Sequence, residues 1–139
     1  DWSYFSYEER GFKRFLIVGH LANSRTLKKF EAHSEIIQLK PQTRRDSTAV
    51  QIVRAFEARG IKRLLVEGGG HVMWNFVREN LIDEYFVTLT PRILGGTDAP
   101  TLVDGKGFEP RDVVNLKLAR CRKVGDELYL TYKKTAKRG

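Results

Sequence analysis

Sulfur is scarce in this chain: Cys121 is the only cysteine and Met73 the only methionine. One cysteine excludes an internal disulfide and fits a reducing compartment. Asp1 is not a translation start, so further residues are expected upstream of it. The longest apolar run, Phe15 to Val18, is four residues, too short for a bilayer span or a secretory signal. Internal repeats and low-complexity segments are absent, as are GxGxxG and GxxxxGK[ST], the two common nucleotide-binding patterns.

What is present reads as a soluble globular chain. Apolar residues make up 41% and charged residues 30%, which excludes a wholly disordered polypeptide, and aromatics at 11% supply bulk for a core. A length of 139 residues predicts one domain. Basic residues number 25 against 17 acidic, a net charge of +8. Lys133, Lys134, Lys137 and Arg138 supply four of those positive charges within the last seven residues, with no acid among them. Half of the excess is therefore expected at a solvated basic end of the chain, with the folded domain expected over 1–133 and a basic tail over 134–139. No RRM, KH or zinc-finger signature accompanies the charge, so nucleic acid is not the expected partner.

Asp1 to Gly11 is aromatic and charged without a period and reads as a loop or the remnant of something larger. Lys13 to Val18 predicts a buried strand closed by Gly19, and Ser24 to Ala32 a short helix with Ser24 as its cap. Glu35 to Leu39 predicts a second strand ended by Pro41. Asp46 or Ser47 then caps a helix whose Ala49, Ile52, Val53 and Phe56 fall at i, i+3, i+4 and i+7, with Gly60 as the stop. Arg63 to Val66 predicts another buried strand, Gly68 to Gly70 a turn, and His71 to Glu79 a helix. Glu84 to Thr90 predicts a strand and Ile93 to Gly107 a long glycine-rich loop. Val114 to Val124 and Glu127 to Lys133 alternate with period two around Gly125-Asp126, a hairpin signal. The order predicts a mostly parallel α/β sheet flanked by helices, with antiparallel strands added at its C-terminal end.

The segment from Leu64 to Gly70 (LLVEGGG) carries the chemistry. A buried strand that runs into three glycines and a helix lets backbone approach a ligand closely. The helix start then offers N–H groups and a positive dipole end to a phosphate. The plainer reading is a tight turn that needs glycine only for its backbone angles. Glu67 places a carboxylate beside that turn, able to accept hydrogen bonds from a heterocycle or sugar hydroxyl or to stabilise a transient cation; its plainer reading is an exposed strand-end glutamate. His71 could touch phosphate or lie on the surface, and Trp74 and Phe76 read as packing groups. Asp83-Glu84 reads as a surface junction. His20, His33, His71 and Cys121 have no metal-ligand spacing, and no Ser/His/Asp or Cys/His arrangement supports a nucleophile.

Val66-Glu67-Gly68-Gly69-Gly70, Asn75-Phe76, Leu81-Ile82-Asp83-Glu84, Pro91-Arg92-Ile93-Leu94-Gly95-Gly96 and Asp98-Ala99-Pro100-Thr101-Leu102 occur in that order, followed by Asp104-Gly105 and Gly107-Phe108. This combination resembles the reductase domain of riboflavin biosynthesis, fused to a deaminase in many bacteria and standing alone in archaea and fungi. The resemblance is strongest from Leu64 to about Lys133. It implies a dihydrofolate-reductase-like fold and an NADPH-dependent reduction of a ribosylaminopyrimidine 5′-phosphate to its ribitylamino form. A cytoplasmic homodimer is implied as well. By the same resemblance Glu67 is the catalytic and substrate-contacting glutamate, and Gly68, Gly69, Gly70, His71, Val72, Met73, Trp74 and Asn75 form the cofactor-binding turn and helix start. Two departures stand out. The family's domain begins with further strands and helices not found before Asp1, so its N-terminal part is expected to be missing. Gly19-His20 also stands where many members carry a Thr pair near the adenosine. The competing expectations are a related NADPH reductase with another substrate, a non-catalytic nucleotide- or phosphate-binding module, and a nucleic-acid binder.

Overall fold

The computed structural model describes residues 11–135; the expected loop at the N-terminus and the last four residues lie outside them, apart from Gly11. The chain gathers into two compact units, the first ending at Lys62 and the second beginning at Arg63.

The first unit is a β–α–β arrangement followed by a helix. Strand β1 (Phe15–Val18) pairs in parallel with β2 (Glu35–Gln38), Phe15 opposite Glu35 and Val18 opposite Gln38. A parallel pair needs a crossover, and helix α1 (Ser24–Glu31) supplies it. Its cap is Asn23, not Ser24: the Asn23 side chain accepts a hydrogen bond from the Arg25 N–H at 2.8 Å. Both residue types cap well, and the extended backbone at Asn23 decides between them. Helix α2 (Thr48–Glu57) is capped by Ser47, one of the two expected candidates, and the chain leaves it through Gly60 at φ 76°. Buried Gln51 ties α2 to the preceding segment. Its Oε1 accepts from the Lys40 N–H at 2.7 Å, and its Nε2 donates to the carbonyls of Lys40 and Asp46. The buried amide is thereby satisfied on both ends.

Phe15 meets Phe56 edge to face at 5.4 Å, which fastens α2 to β1. At the head of this pair Glu35 accepts from Arg59 Nε at 2.6 Å and pairs with Lys13 at 2.6 Å. These two cations, with Lys13 the stronger influence, hold the Glu35 carboxyl below its ordinary value of 4.5. A depressed folded-state pKa contributes stability that is complete above the unfolded value and is lost as pH falls through the folded one. The urea midpoint of the wild-type chain is therefore expected to fall more steeply below about pH 4.5 than that of Glu35→Gln. The gap should shrink in high salt, because the group is accessible to solvent. Parallel pH profiles for the two proteins would refute this role for the Glu35 pair.

The second unit holds helix α3 (Gly70–Arg78), strand β3 (Glu84–Leu89), a single 3₁₀ turn at Pro110–Asp112, and strands β4 (Leu116–Val124) and β5 (Glu127–Lys134). The hairpin is formed as its alternation predicts, turning at Gly125 with φ 57°. β5 is the central strand, antiparallel to both β3 and β4. Register places Tyr85 with Tyr132 and Phe86 with Thr131, so alternate residues share a face. Tyr85 is buried and Phe86 is 67% exposed, which separates an inner from an outer face. β4 is an exposed edge, interrupted by a register shift between Leu118 and Arg120 and rich in Lys and Arg; both features discourage edge-to-edge pairing.

Two expectations are corrected. Residues 63–66, predicted to be a buried strand, join neither sheet among the described residues, and Leu64 and Leu65 are 42% and 69% exposed. An apolar run signals a capacity for burial, but a strand exists only through a ladder partner, and here there is none. Lys134, assigned to the basic tail, is the last residue of β5, next to Lys133. Lys134 Nζ donates to the Asn80 carbonyl at 3.1 Å and lies 3.7 Å from Asp83, so a cation closes the C-terminal end of α3.

Candidate functional site

Glu67 and the glycines stand in one continuous stretch that leads into α3. Gly69 is the N-cap residue, in extended backbone at φ −73° and ψ 172°, and supplies no side-chain cap; the first turn of α3 contains no acidic residue of its own. The helix therefore starts with N–H groups that no cap side chain satisfies and with no acid of its own first turn at the positive dipole end, properties that favour an anion.

The three glycines are not equivalent. A Cβ on Gly69 would meet nothing within 4 Å. A Cβ on Gly68 would press on the Val72 side chain at 3.0–3.2 Å. A Cβ on Gly70 would collide with the Asp104 carboxylate and the Asp104 backbone nitrogen. Gly70 is thus required by packing within the chain, and only Gly69 faces open space in the way the phosphate reading needs.

Glu67 is exposed and pairs with no group among the described residues. His71 is exposed as well; its Nδ1 lies 3.4 Å from Asp104 Oδ2, an ion pair only while the imidazole carries a proton. Met73 and Asn75 are half-buried on α3, and Val72 is largely exposed beside Gly68. Trp74 is engaged from within the chain: its indole lies against Gly105 and stacks at a tilt on Phe108, ring centres 4.8 Å apart. Among the described residues there is no cluster of three or more metal-ligating side chains. A shallow depression of about 230 Å³ lies on the three-stranded sheet between Phe86 and Tyr129 and includes none of residues 67–75.

Asp104, which the sequence offers only as part of the family resemblance and without a role, is a hub of this region. Its Oδ1 accepts from Thr101 Oγ1 at 2.6 Å and from the Thr101 N–H at 3.1 Å, and its own N–H donates to the Gly70 carbonyl at 3.1 Å. The Thr101 hydroxyl first, then the Thr101 N–H and His71, hold the Asp104 carboxyl below the usual carboxylate range. The signal was present as Thr101-x-x-Asp104-Gly105, short polar side chains bracketing a turn before a glycine. Gly105 sits at φ 110°, and a Cβ there would meet the Trp74 ring at 2.6 Å. Gly105→Ala should therefore cost at least about 1 kcal/mol in urea unfolding; an unchanged midpoint would show that the loop does not seat on Trp74 in solution.

Comparison with known proteins adds the following. A family model described as the RibD C-terminal domain matches residues 13–130. The chain is 38% identical over 82 residues to the 2,5-diamino-6-ribosylamino-4(3H)-pyrimidinone 5′-phosphate reductase of Methanothermobacter thermautotrophicus, covering 58% of this chain and 38% of that protein. It is 46% identical over 61 residues to the protein of the same name from Aquifex aeolicus, covering 43% and 27%. The chain thus spans only about a third of the length of these curated relatives. Among solved structures, a pyrimidine reductase-like protein from Corynebacterium diphtheriae superposes with a TM-score of 0.72 at 20% identity, over 88% of this chain and 50% of that one. RibD of Acinetobacter baumannii superposes with a TM-score of 0.62 at 20% identity, over 88% and 31%. At such identity these two likenesses speak for the fold.

Proposed function

Because the chain belongs to the RibD C-terminal domain family, we propose that it carries the glutamate and cofactor turn of an NADPH-dependent reductase, acting on a ribosylaminopyrimidine 5′-phosphate in riboflavin biosynthesis. The observation that carries this reading is the Glu67–Gly70 segment. An unpaired carboxylate immediately precedes an uncapped helix start whose N-cap glycine opens onto free space. A dinucleotide phosphate fits that start: it needs N–H donors, a positive dipole end and backbone without a Cβ in the way. NADPH, when bound, supplies the hydride that reduces the opened sugar at C1′.

The residues of this chain have the remaining tasks. Gly69 admits the phosphates to the backbone, and His71, exposed beside the first turn, adds positive charge when protonated. Glu67 accepts hydrogen bonds from the pyrimidine ribotide or offsets the positive charge that develops as the sugar opens. Trp74 serves the cofactor indirectly, by seating the loop from Thr101 to Phe108. The further reading of a cytoplasmic homodimer follows the family resemblance, and its dimer part draws support from the exposed Phe86 face of the sheet, which a second subunit could cover.

Incubation of the chain with NADPH and the diaminated ribosylaminopyrimidinone 5′-phosphate tests the proposal. Expected is stoichiometric loss of NADPH absorbance, with one deuterium at C1′ of the product when deuterated NADPH is used. NADPH binding without turnover would favour the binding-module reading, and no NADPH binding would remove the cofactor assignment altogether.

A further inference from the structure

The loop from Thr101 to Phe108 has no role in the reading above beyond packing, yet it is fastened to the first turns of α3 at four points. The Asp104 N–H donates to the Gly70 carbonyl. The Asp104 carboxylate rests where a Gly70 side chain would be. Its Oδ2 lies 3.4 Å from His71 Nδ1. Gly105 and Phe108 lie on the Trp74 indole. Thr101 completes the arrangement, because its hydroxyl and N–H both donate to Asp104 Oδ1 and so fix the carboxylate's rotamer.

We propose that Asp104 is a positioning residue for the cofactor turn: it clasps the loop onto α3, and its charge limits how firmly the turn holds an anion. This rests on the assignment of NADPH to residues 68–75. Two physical effects follow from one side chain. As a hydrogen-bond hub, Asp104 fixes Gly70 and His71 relative to the loop, so the N–H groups of the first turn are held ready before the cofactor arrives. As an anion beside a helix start, it interacts favourably with the same dipole end and the same imidazole that a phosphate would use. The carboxylate and a bound phosphate therefore compete electrostatically while the clasp itself favours binding. Removing only the charge and removing the whole side chain should then have opposite effects on cofactor affinity, which a purely structural residue would not show.

Asp104→Asn keeps an oxygen for both Thr101 donors and discards the charge; Asp104→Ala discards both. Each is made in a Trp2→Phe background, which leaves Trp74 as the single indole of the two in the sequence. In Asp104→Ala the Trp74 emission should move to the red with greater acrylamide quenching, and the NADPH Kd should rise at least about tenfold, comparable to losing one charge-assisted contact. In Asp104→Asn the emission should stay in place and the NADPH Kd should fall about threefold, the size of a helix-terminus charge effect. Thr101→Val, which removes the shortest bond and is milder, should follow Asp104→Ala in direction at reduced size. An Asp104→Asn protein that weakens NADPH binding as Asp104→Ala does would overturn the charge argument. Unshifted Trp74 emission in both Asp104→Ala and Thr101→Val would overturn the clasp, even with NADPH binding to the wild type intact. A wild-type chain that binds no NADPH would overturn the cofactor assignment, and the positioning role with it, whatever the emission shows.

Discussion

Gly69→Val should leave the chain folded and reduce its NADPH affinity more than tenfold, over ~1.4 kcal/mol. Among the three glycines only this one permits a clean test. Its backbone, at φ −73° and ψ 172°, is extended and suits a β-branched residue, and an added Cβ would meet nothing within 4 Å. The expected cost to stability is limited to the poorer N-cap, about 1 kcal/mol. Gly70 is unusable for the purpose, because any side chain there displaces Asp104. Gly68 is nearly so, since Val72 stands against it. The branched methyls of the introduced valine would project into the space in front of the α3 N-terminus, the proposed place of the phosphates, so the loss should appear in Kd with the circular-dichroism spectrum unchanged. Gly69→Ala should lie between wild type and Gly69→Val. A folded Gly69→Val protein with wild-type NADPH affinity would place the cofactor phosphates elsewhere.

The inequality of the glycines shows where reading the sequence reached its end. Three adjacent glycines announce a backbone that something must approach closely, but the sequence does not say what approaches. At Gly69 it is open space, and at Gly70 it is a carboxylate from a loop far along the chain. The local features of the fold were legible for a related reason. α2 declared itself through the i, i+3, i+4, i+7 spacing of Ala49, Ile52, Val53 and Phe56 with Ser47 before it and Gly60 after it, all short-range signals. The β4–β5 hairpin did so through its alternation and Gly125-Asp126. Residues 63–66 show the limit of such signals. Arg63-Leu64-Leu65-Val66 has the composition of a buried strand, but pairing is a property of two segments, and no described strand pairs with it. The role of Asp104 is hidden for the same reason. Its bond to Thr101 is local and could have been anticipated, whereas its hold on Gly70 and His71 is a tertiary contact that no spacing encodes.

Glu67→Gln carries the largest expected effect on turnover. Reduction at C1′ requires the ribose to open, and the carbon that accepts hydride bears most positive charge when the neighbouring nitrogen is protonated. Glu67 is exposed and unpaired among the described residues, so no internal cation competes for its charge. Glutamine keeps the size and one acceptor oxygen and removes the charge. If Glu67 stabilises the developing cation, kcat should fall by ~10²-fold or more, comparable to the loss of one preorganised electrostatic contact in other active sites. KM for the pyrimidine ribotide should then change little, because the ground state lacks that charge. If Glu67 instead positions the substrate through hydrogen bonds, KM should rise while kcat holds. With the cofactor phosphates assigned to the turn that follows, as proposed, NADPH affinity should be nearly unchanged in both cases, because the introduced glutamine leaves Gly69 and the α3 N-terminus as they are. Measuring kcat, KM and the NADPH Kd on the same folded variant therefore separates the two roles. A Glu67→Gln protein with wild-type values of all three would return Glu67 to a solvated carboxylate at the end of an apolar segment. The reduction would then depend on electrostatics from another part of the protein.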